Sequence, residues 1–378
     1  MSVSMAFRVP VEDIERHAEE VDRDGRFPAE AISALRDAGL LGLGIPDAYG
    51  GPGGGPADIV EAIAQVSGAC GSTGMVFTMH LVAAQTLLAG TDGEGPKADA
   101  LREIASGRHL STLAYSERAT RSHFWAQTSR AELTGDGVSI SAEKSWVTSA
   151  SHADSYVVAT GAPGASAPTE TELYLVPADA DGMEIEGAFD GLGMRGNDSA
   201  AVRLNGVRVD EGRRLGDPGS GFDLMLSATL PWFVLGCAAC CTGLAQSALA
   251  TACRHVAGAR LEHLGSSLAE VPGVRTRLAT AQIDLMQSRA LLNQTARQVE
   301  EGDPQSQLAI LALKAAAAEM AIRVTDEAMR ACGGAAYSKH LPLERSFRDA
   351  RAATIMAPTT DILRDLLGKA ITGQELFA

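Results

Sequence analysis

The amino-acid sequence predicts an α+β protein built in three consecutive parts: helical, β, and helical again. Three observations predict it. Apolar residues recur every three or four positions from Val11 to about Arg108, Val-, Ile-, Thr- and Tyr-rich runs of period two fill Leu110 to Leu215, and helical spacing returns after Gly221. The 378 residues are 46% hydrophobic and 21% charged, enough to bury a large core in two or three domains.

From the N-terminus, Val11, Ile14 and Val21 mark a first helix, Ile32, Leu35 and Leu40 a second, and Ile59, Ile63 and Val66 a third. The glycine-rich joints Tyr49–Gly55 and Gly90–Gly95 read as turns between helices. In the middle part, Ala131–Thr134 and Val138–Ser141 flank Gly135-Asp136-Gly137, and Val202–Leu204 and Val207–Val209 flank Asn205-Gly206; both patterns signal hairpins. With further strands at Tyr156–Thr160 and Glu172–Val176, this part is expected to form an antiparallel barrel or sandwich. After Gly221, Leu224–His255 is long and apolar, Val274–Gln298 is amphipathic, and Leu308–Ala331 is Ala-rich and stopped by Gly333-Gly334. Ala-rich faces let helices approach closely, which suits a helical bundle that can extend between subunits.

Charge and composition exclude several functions. Thirty-two Lys+Arg against 47 Asp+Glu give a net charge of −15, which repels phosphate backbones and anionic lipid, so neither nucleic acid nor a membrane is an expected partner. No apolar run of membrane-spanning length is apparent, and Met1–Pro10 lacks a basic segment followed by an apolar one, so a cytoplasmic location is expected. Cys237, Cys240 and Cys241 lie in an apolar stretch without a second ligand pair, and read as small buried helix residues rather than a metal site.

The motifs are more specific. Gly42-Leu43-Gly44-Ile45-Pro46 with Tyr49-Gly50-Gly51, Glu143-Lys144-Ser145-Trp146-Val147-Thr148, Leu192-Gly193-Met194-Arg195-Gly196, and Gly333-Gly334 with Leu343–Arg351 occur in that order along nearly the whole chain. Together they closely resemble the acyl-CoA dehydrogenase superfamily. The resemblance implies an N-terminal helical domain (1–109), a central antiparallel β-barrel domain (110–218) and a C-terminal four-helix bundle (219–378). It also implies FAD near a subunit interface in a homodimer or homotetramer.

The resemblance assigns residues as well. The strand of Trp146, Val147 and Thr148 lies against the flavin, the aromatic stacking and the hydroxyl and amides hydrogen-bonding. Ser116 stands where a flavin-contacting Thr is expected. In the loop that would border the substrate entrance, Ser122 is kept, while Arg118, Arg121 and His123 are new. Arg121 and Ser122 are therefore candidate substrate contacts, suited to an anionic carrier such as coenzyme A or an acyl carrier protein. Thr359 matches a flavin-proximal Thr. On the adenine side, Arg260 and Gly334 are candidate contacts, although Leu264-Gly265 follows Arg260 in altered spacing and Arg330 replaces a common Gln.

The family's catalytic base is missing. A Glu placed to remove the α-proton would stand at Ala357, and the alternative segment, Leu230–Leu235, contains no acid. Glu117, His123 and Asp361 are the candidate replacements, with a partner subunit as the remaining source. Three readings follow. The first is an acyl-thioester oxidoreductase with a displaced base, or the base-less subunit of a heteromer with a Glu-bearing homologue. The second is a monooxygenase or oxidase using reduced flavin and O2, and the third a non-redox or binding protein on the retained fold.

Overall fold

The computed structural model describes residues 7–377; Met1–Ala6, which open the segment read above for a leader, lie outside the described residues. Among the described residues, five α-helices form the N-terminal part: α1 (Val11–Asp24), α2 (Ala29–Asp37), α3 (Pro56–Ala69), α4 (Gly71–Ala89) and α5 (Gly95–Ala105). Helix α1 follows its apolar stripe, burying Ile14, Ala18 and Val21 at spacings of four and three, and stops at Gly25 in the left-handed region. By contrast α4 is apolar nearly all round, and most of its side chains are buried because it lies between the sheet and the C-terminal helices.

The middle part is a seven-stranded sheet of β1 (Ser111–Ala114), β2 (Arg130–Leu133), β3 (Gly137–Val147), β4 (Ser155–Gly161), β5 (Thr171–Pro177), β6 (Met183–Glu186) and β7 (Ala200–Asp210). Its order is β1-β4-β2-β3-β7-β6, with β5 paired to β4. The β2–β3 hairpin forms as the sequence predicts, Leu133 opposite Val138. Asn205-Gly206 does not turn the chain: it lies inside β7, with Gly206 at φ 63° opposite the register shift between Ile140 and Ala142. The left-handed residue that would close a two-residue turn here makes a bulge in a continuous strand. The sheet is also mixed, since β1 runs parallel to β4 and β2 touches β4 in parallel.

The C-terminal part begins with α6 (Gly221–Leu224), continues through a π-helical turn, Met225–Thr229, into α7 (Leu230–Gly258), and crosses a short hairpin of β8 (Arg260–Leu261) and β9 (Ser266–Ser267). Then come α8 (Pro272–Glu301), α9 (Ser306–Cys332), α10 (Gly334–Tyr337), α11 (Leu343–Ile355) and α12 (Thr360–Ile371). Helices α7, α8, α9 and α11 pack as the bundle, and Gly333, at φ 57°, ends α9. Cys237, Cys240 and Cys241 are free thiols buried in α7. Two helical segments, Gly71–Ala89 and Gly221–Gly258, do reach the length and apolarity of a membrane span. The sequence reading missed them, yet 83% and 78% of their apolar windows are buried inside the protein, as core helices require.

The three parts interlock. The Arg348 guanidinium on α11 donates to both Asp22 carboxylate oxygens (2.9 and 2.6 Å), to Glu344 and to the Leu192 carbonyl, gripping all three parts at once. Gly193 has no side chain because one would collide with the backbone of Arg348 and Asp349.

Candidate functional site

The end of β3 carries the clearest local signal. The register of β3 against β7 slips between Lys144 and Val147, and Trp146 sits at φ 58°, an outlier for a bulky residue. The strained backbone turns the indole outward, leaving it 72% exposed beside the edge of Phe189, ring centroids 6.3 Å apart. Strain of this kind persists where surrounding contacts over-determine it, and it clusters at ligand sites. The Ser145 amide donates to the Ser116 carbonyl (2.9 Å), placing Ser116 next to Trp146. Thr148 is buried, its hydroxyl paired with Ser199 (3.2 Å) and its carbonyl accepting from Thr112 (2.8 Å). The Val147 side chain belongs to the β core, so only its backbone is available. Nearby, the Asn197 carbonyl accepts from the Ser149 amide, while the buried side-chain oxygen of Asn197 has no hydrogen-bond partner. An exposed aromatic face, hydroxyls and an orphaned buried oxygen fit a planar heteroaromatic group with a polar rim.

On the helical side, Thr359 caps α12, its hydroxyl oxygen accepting from the Ile362 amide at 3.4 Å. The loop before it is fixed from below by Lys314 of α9. That buried ammonium donates to the carbonyls of Ala353, Met356 and Pro358 at 2.8–2.9 Å and lies 5.8 Å from the centre of the Phe233 ring. Ala357, within this anchored loop, brings only a methyl group. Asp361 is exposed in the first turn of α12.

Glu117 is a sealed residue. Lys144 Nζ donates to it at 2.7 Å, as do the Thr128 amide (2.7 Å) and hydroxyl (2.6 Å), the Ser129 amide (3.1 Å) and the Ser129 hydroxyl. Burial by itself would raise this carboxyl, but the Lys144 charge and the hydrogen bonds outweigh it and hold the group at about 2. A carboxylate so fully engaged is a weak proton acceptor. His123 is exposed and lies edge-on to Trp125 (5.1 Å); it borders a cavity of about 120 Å³ also lined by Asp365, Lys369 and Phe377. Arg121 and Ser122 lie on the same surface loop, Arg121 exposed and at φ 50°.

The adenine-side candidates lie elsewhere. Arg260 donates to the Gly265 carbonyl across the β8–β9 hairpin (3.0 Å), and Leu268, just beyond that hairpin, packs against the buried cluster that holds Ala331, Cys332 and Ala336 on either side of the Gly333-Gly334 turn. Arg260 and Gly334 therefore share one end of the bundle. Lys314, which holds the Thr359 loop, is eighteen residues before Cys332, where α9 ends just short of Gly334, or about 27 Å at the helical rise. One chain thus brings Ser116, Trp146 and Thr148 together, and Arg260 and Gly334 together, with the Thr359 loop well separated along α9 from the second pair.

Sequence reasoning missed the structural partner of Glu117, although a signal was present. Val138, Ile140, Ala142 and Lys144 occupy alternate, buried positions of β3, so the inward parity of the strand already placed Lys144 in the core. A buried lysine calls for an acid. It also missed the hydroxyl chain in which Thr229 of the π turn meets Tyr115 (3.1 Å) and Thr86 (3.0 Å), because those residues are more than 100 positions from Thr229.

Comparison with known proteins gives matches along the chain. Residues 3–108, 112–207 and 219–372 match, respectively, the N-terminal, middle and C-terminal domains of acyl-CoA dehydrogenase. A probable acyl-CoA dehydrogenase of Bacillus subtilis, YngJ, is 30% identical over 94% of this chain and 93% of its own length. The 3-sulfinopropanoyl-CoA desulfinase of Paraburkholderia xenovorans is 30% identical over 98% and 95%. In structure, the butyryl-CoA dehydrogenase of Megasphaera elsdenii superposes with a TM-score of 0.89 at 22% identity, covering 98% of this chain and all of that one.

Proposed function

Because the chain belongs to the acyl-CoA dehydrogenase family, we propose that it is an FAD-dependent oxidoreductase of acyl thioesters whose α-proton is removed by a group other than the usual loop carboxylate. The exposed Trp146 indole on its strained backbone, with Ser116 beside it, carries the flavin part of this reading. A bound flavin would supply the two-electron acceptor. The chain's part is to position: Trp146 offers a stacking face, Thr148 and Ser116 offer hydroxyls, and Thr359 fixes the helical edge. The thioester part is supported by two relatives whose names are those of acyl-CoA enzymes.

With Ala357 inert and Glu117 sealed, His123, Asp361 or a neighbouring subunit is left to take the proton. The separation of about 27 Å along α9 between the Thr359 loop and the Gly334 end supports an oligomer, Arg260 and Gly334 serving the cofactor of a neighbouring chain. Anaerobic titration of the flavin-loaded protein with acyl thioesters tests the reading: bleaching of the visible flavin band supports it, and an unchanged band across chain lengths contradicts it. In the same assay, Ala357→Glu should raise the bleaching rate by about 10²-fold or more if the wild-type chain lacks an effective base; an unchanged rate would show that deprotonation is already provided.

A second reading has one observation behind it. The desulfinase relative is named for removal of a sulfinate group from an acyl-CoA; if the C–S bond breaks heterolytically, sulfur leaves as SO2, water takes it up as sulfite, and the carbon left behind gains a proton, so no α-proton has to be removed and a loop without a carboxylate suits the reaction. Release of sulfite and the saturated acyl thioester from a 3-sulfinoacyl thioester, with the flavin band intact, would favour it.

A further inference from the structure

The segment Arg118–Gln127 leaves the β domain and returns to it at one narrow neck. There, Glu117 at its start accepts from Thr128 and Ser129 at its end, while Lys144 donates to Glu117 (2.7 Å), to the Gln127 side-chain oxygen (2.8 Å) and to the Ala159 carbonyl (2.6 Å). The side chains of the pair are 0% and 4% exposed. Replacing such a pair by apolar groups of similar volume is often neutral or stabilising, so stability alone is a poor reason for it. Its geometry is a better one: a single carboxylate, itself oriented by an ammonium, joins the two ends of the loop.

What the loop presents is basic. Arg118, Arg121 and His123 are exposed, and among the described residues neither arginine forms an ion pair, in a protein of net charge −15. Phe124 and Trp125 of the same loop are buried, and Phe377 packs edge-on against Trp125 (5.1 Å) and against Phe222 (5.6 Å), holding the loop tip. A loop pinned at neck and tip, with two free guanidiniums between, is preorganised for phosphate oxygens.

Resting on the acyl-thioester reading, we propose that Glu117 and Lys144 are a positioning pair that holds Arg118 and Arg121 to receive the phosphate of the substrate's pantetheine carrier. That phosphate occurs both in coenzyme A and in the phosphopantetheine arm of a carrier protein.

The test uses one unreactive S-alkyl thioether on three carriers: coenzyme A, a phosphopantetheinylated carrier protein, and pantetheine without phosphate. Binding to the flavin-loaded protein is measured by calorimetry, alongside hydrogen exchange of residues 118–127. The wild type should prefer at least one phosphate-bearing carrier over pantetheine by ten-fold or more, and the stronger of the two identifies the source. Arg118→Ala/Arg121→Ala should abolish that preference. Glu117→Gln/Lys144→Met should abolish it too and speed exchange in the loop, with flavin content and pantetheine affinity unchanged. Thr128→Val, which removes only one neck hydrogen bond, should weaken the preference two- to five-fold, and it decides the matter should the double variant fail to fold. An undiminished preference in folded neck variants overturns the positioning role and leaves the thioester reading standing. A flavin-loaded wild type that binds none of the three carriers overturns both.

Discussion

Asp349 connects a single protonation to the joints between domains. It is buried on α11 and accepts from the Met194 amide (2.6 Å); burial pushes its carboxyl up to about 6, the hydrogen bond pulling the other way. A carboxyl raised above its unfolded value favours the protonated fold. Its contribution is therefore complete below about pH 4 and is lost as pH rises through 6, a difference of about 3 kcal/mol if the full shift is realised. Asp349→Asn keeps an acceptor for Met194 without the charge. Its urea midpoint should exceed that of the wild type at pH 7.5, and the gap should narrow toward pH 4.5; a gap independent of pH would contradict the assignment. Glu117 and Asp349 are both buried acids, yet the first has a lysine against it and the second an amide. Nothing in the local sequence separates them, because their partners are 27 and 155 positions away.

At the scale of elements, side-chain spacing made most of the fold legible. The stripe of α1, the β2–β3 hairpin and the stop at Gly333 followed from period, turn residues and glycine. Asn205-Gly206 was misread because a left-handed glycine serves a bulge as well as a turn, and only the partner strand decides between them. The Trp146 corner could be named from a motif, but its strain and exposure are properties of the β3–β7 register. Helix contacts also explain small residues that periodicity leaves unexplained. Gly243 of α7 faces the Ala64 backbone of α3, and a methyl there would collide with the Ala64 carbonyl. Gly243→Ala should cost on the order of 1–3 kcal/mol by overpacking, despite its better helix propensity. Chemical denaturation reads the outcome directly, and a stabilised variant would mean that the two helices can move apart freely.

For the whole molecule, one apolar core runs through all three parts, and the Arg348 cluster adds a polar clamp across them. Arg348 and Asp22 are 18% and 13% exposed, and removing one member of a largely buried pair costs about 3–5 kcal/mol. Wild-type unfolding should appear as one transition by far-UV circular dichroism and tryptophan emission together. In Arg348→Ala the two curves should separate, since Trp146 reports on the β part and Trp125 on its contact with the C-terminal Phe377, while the far-UV signal follows the helices; curves that still coincide would show that other contacts suffice. The span of α9 has a genetic corollary. On the oligomeric reading, each active centre is assembled from both ends of different polypeptides. A chain without its indole and a chain without Arg260, each silent by itself, would then regain turnover when mixed, since some of the hybrid centres draw an intact half from each parent.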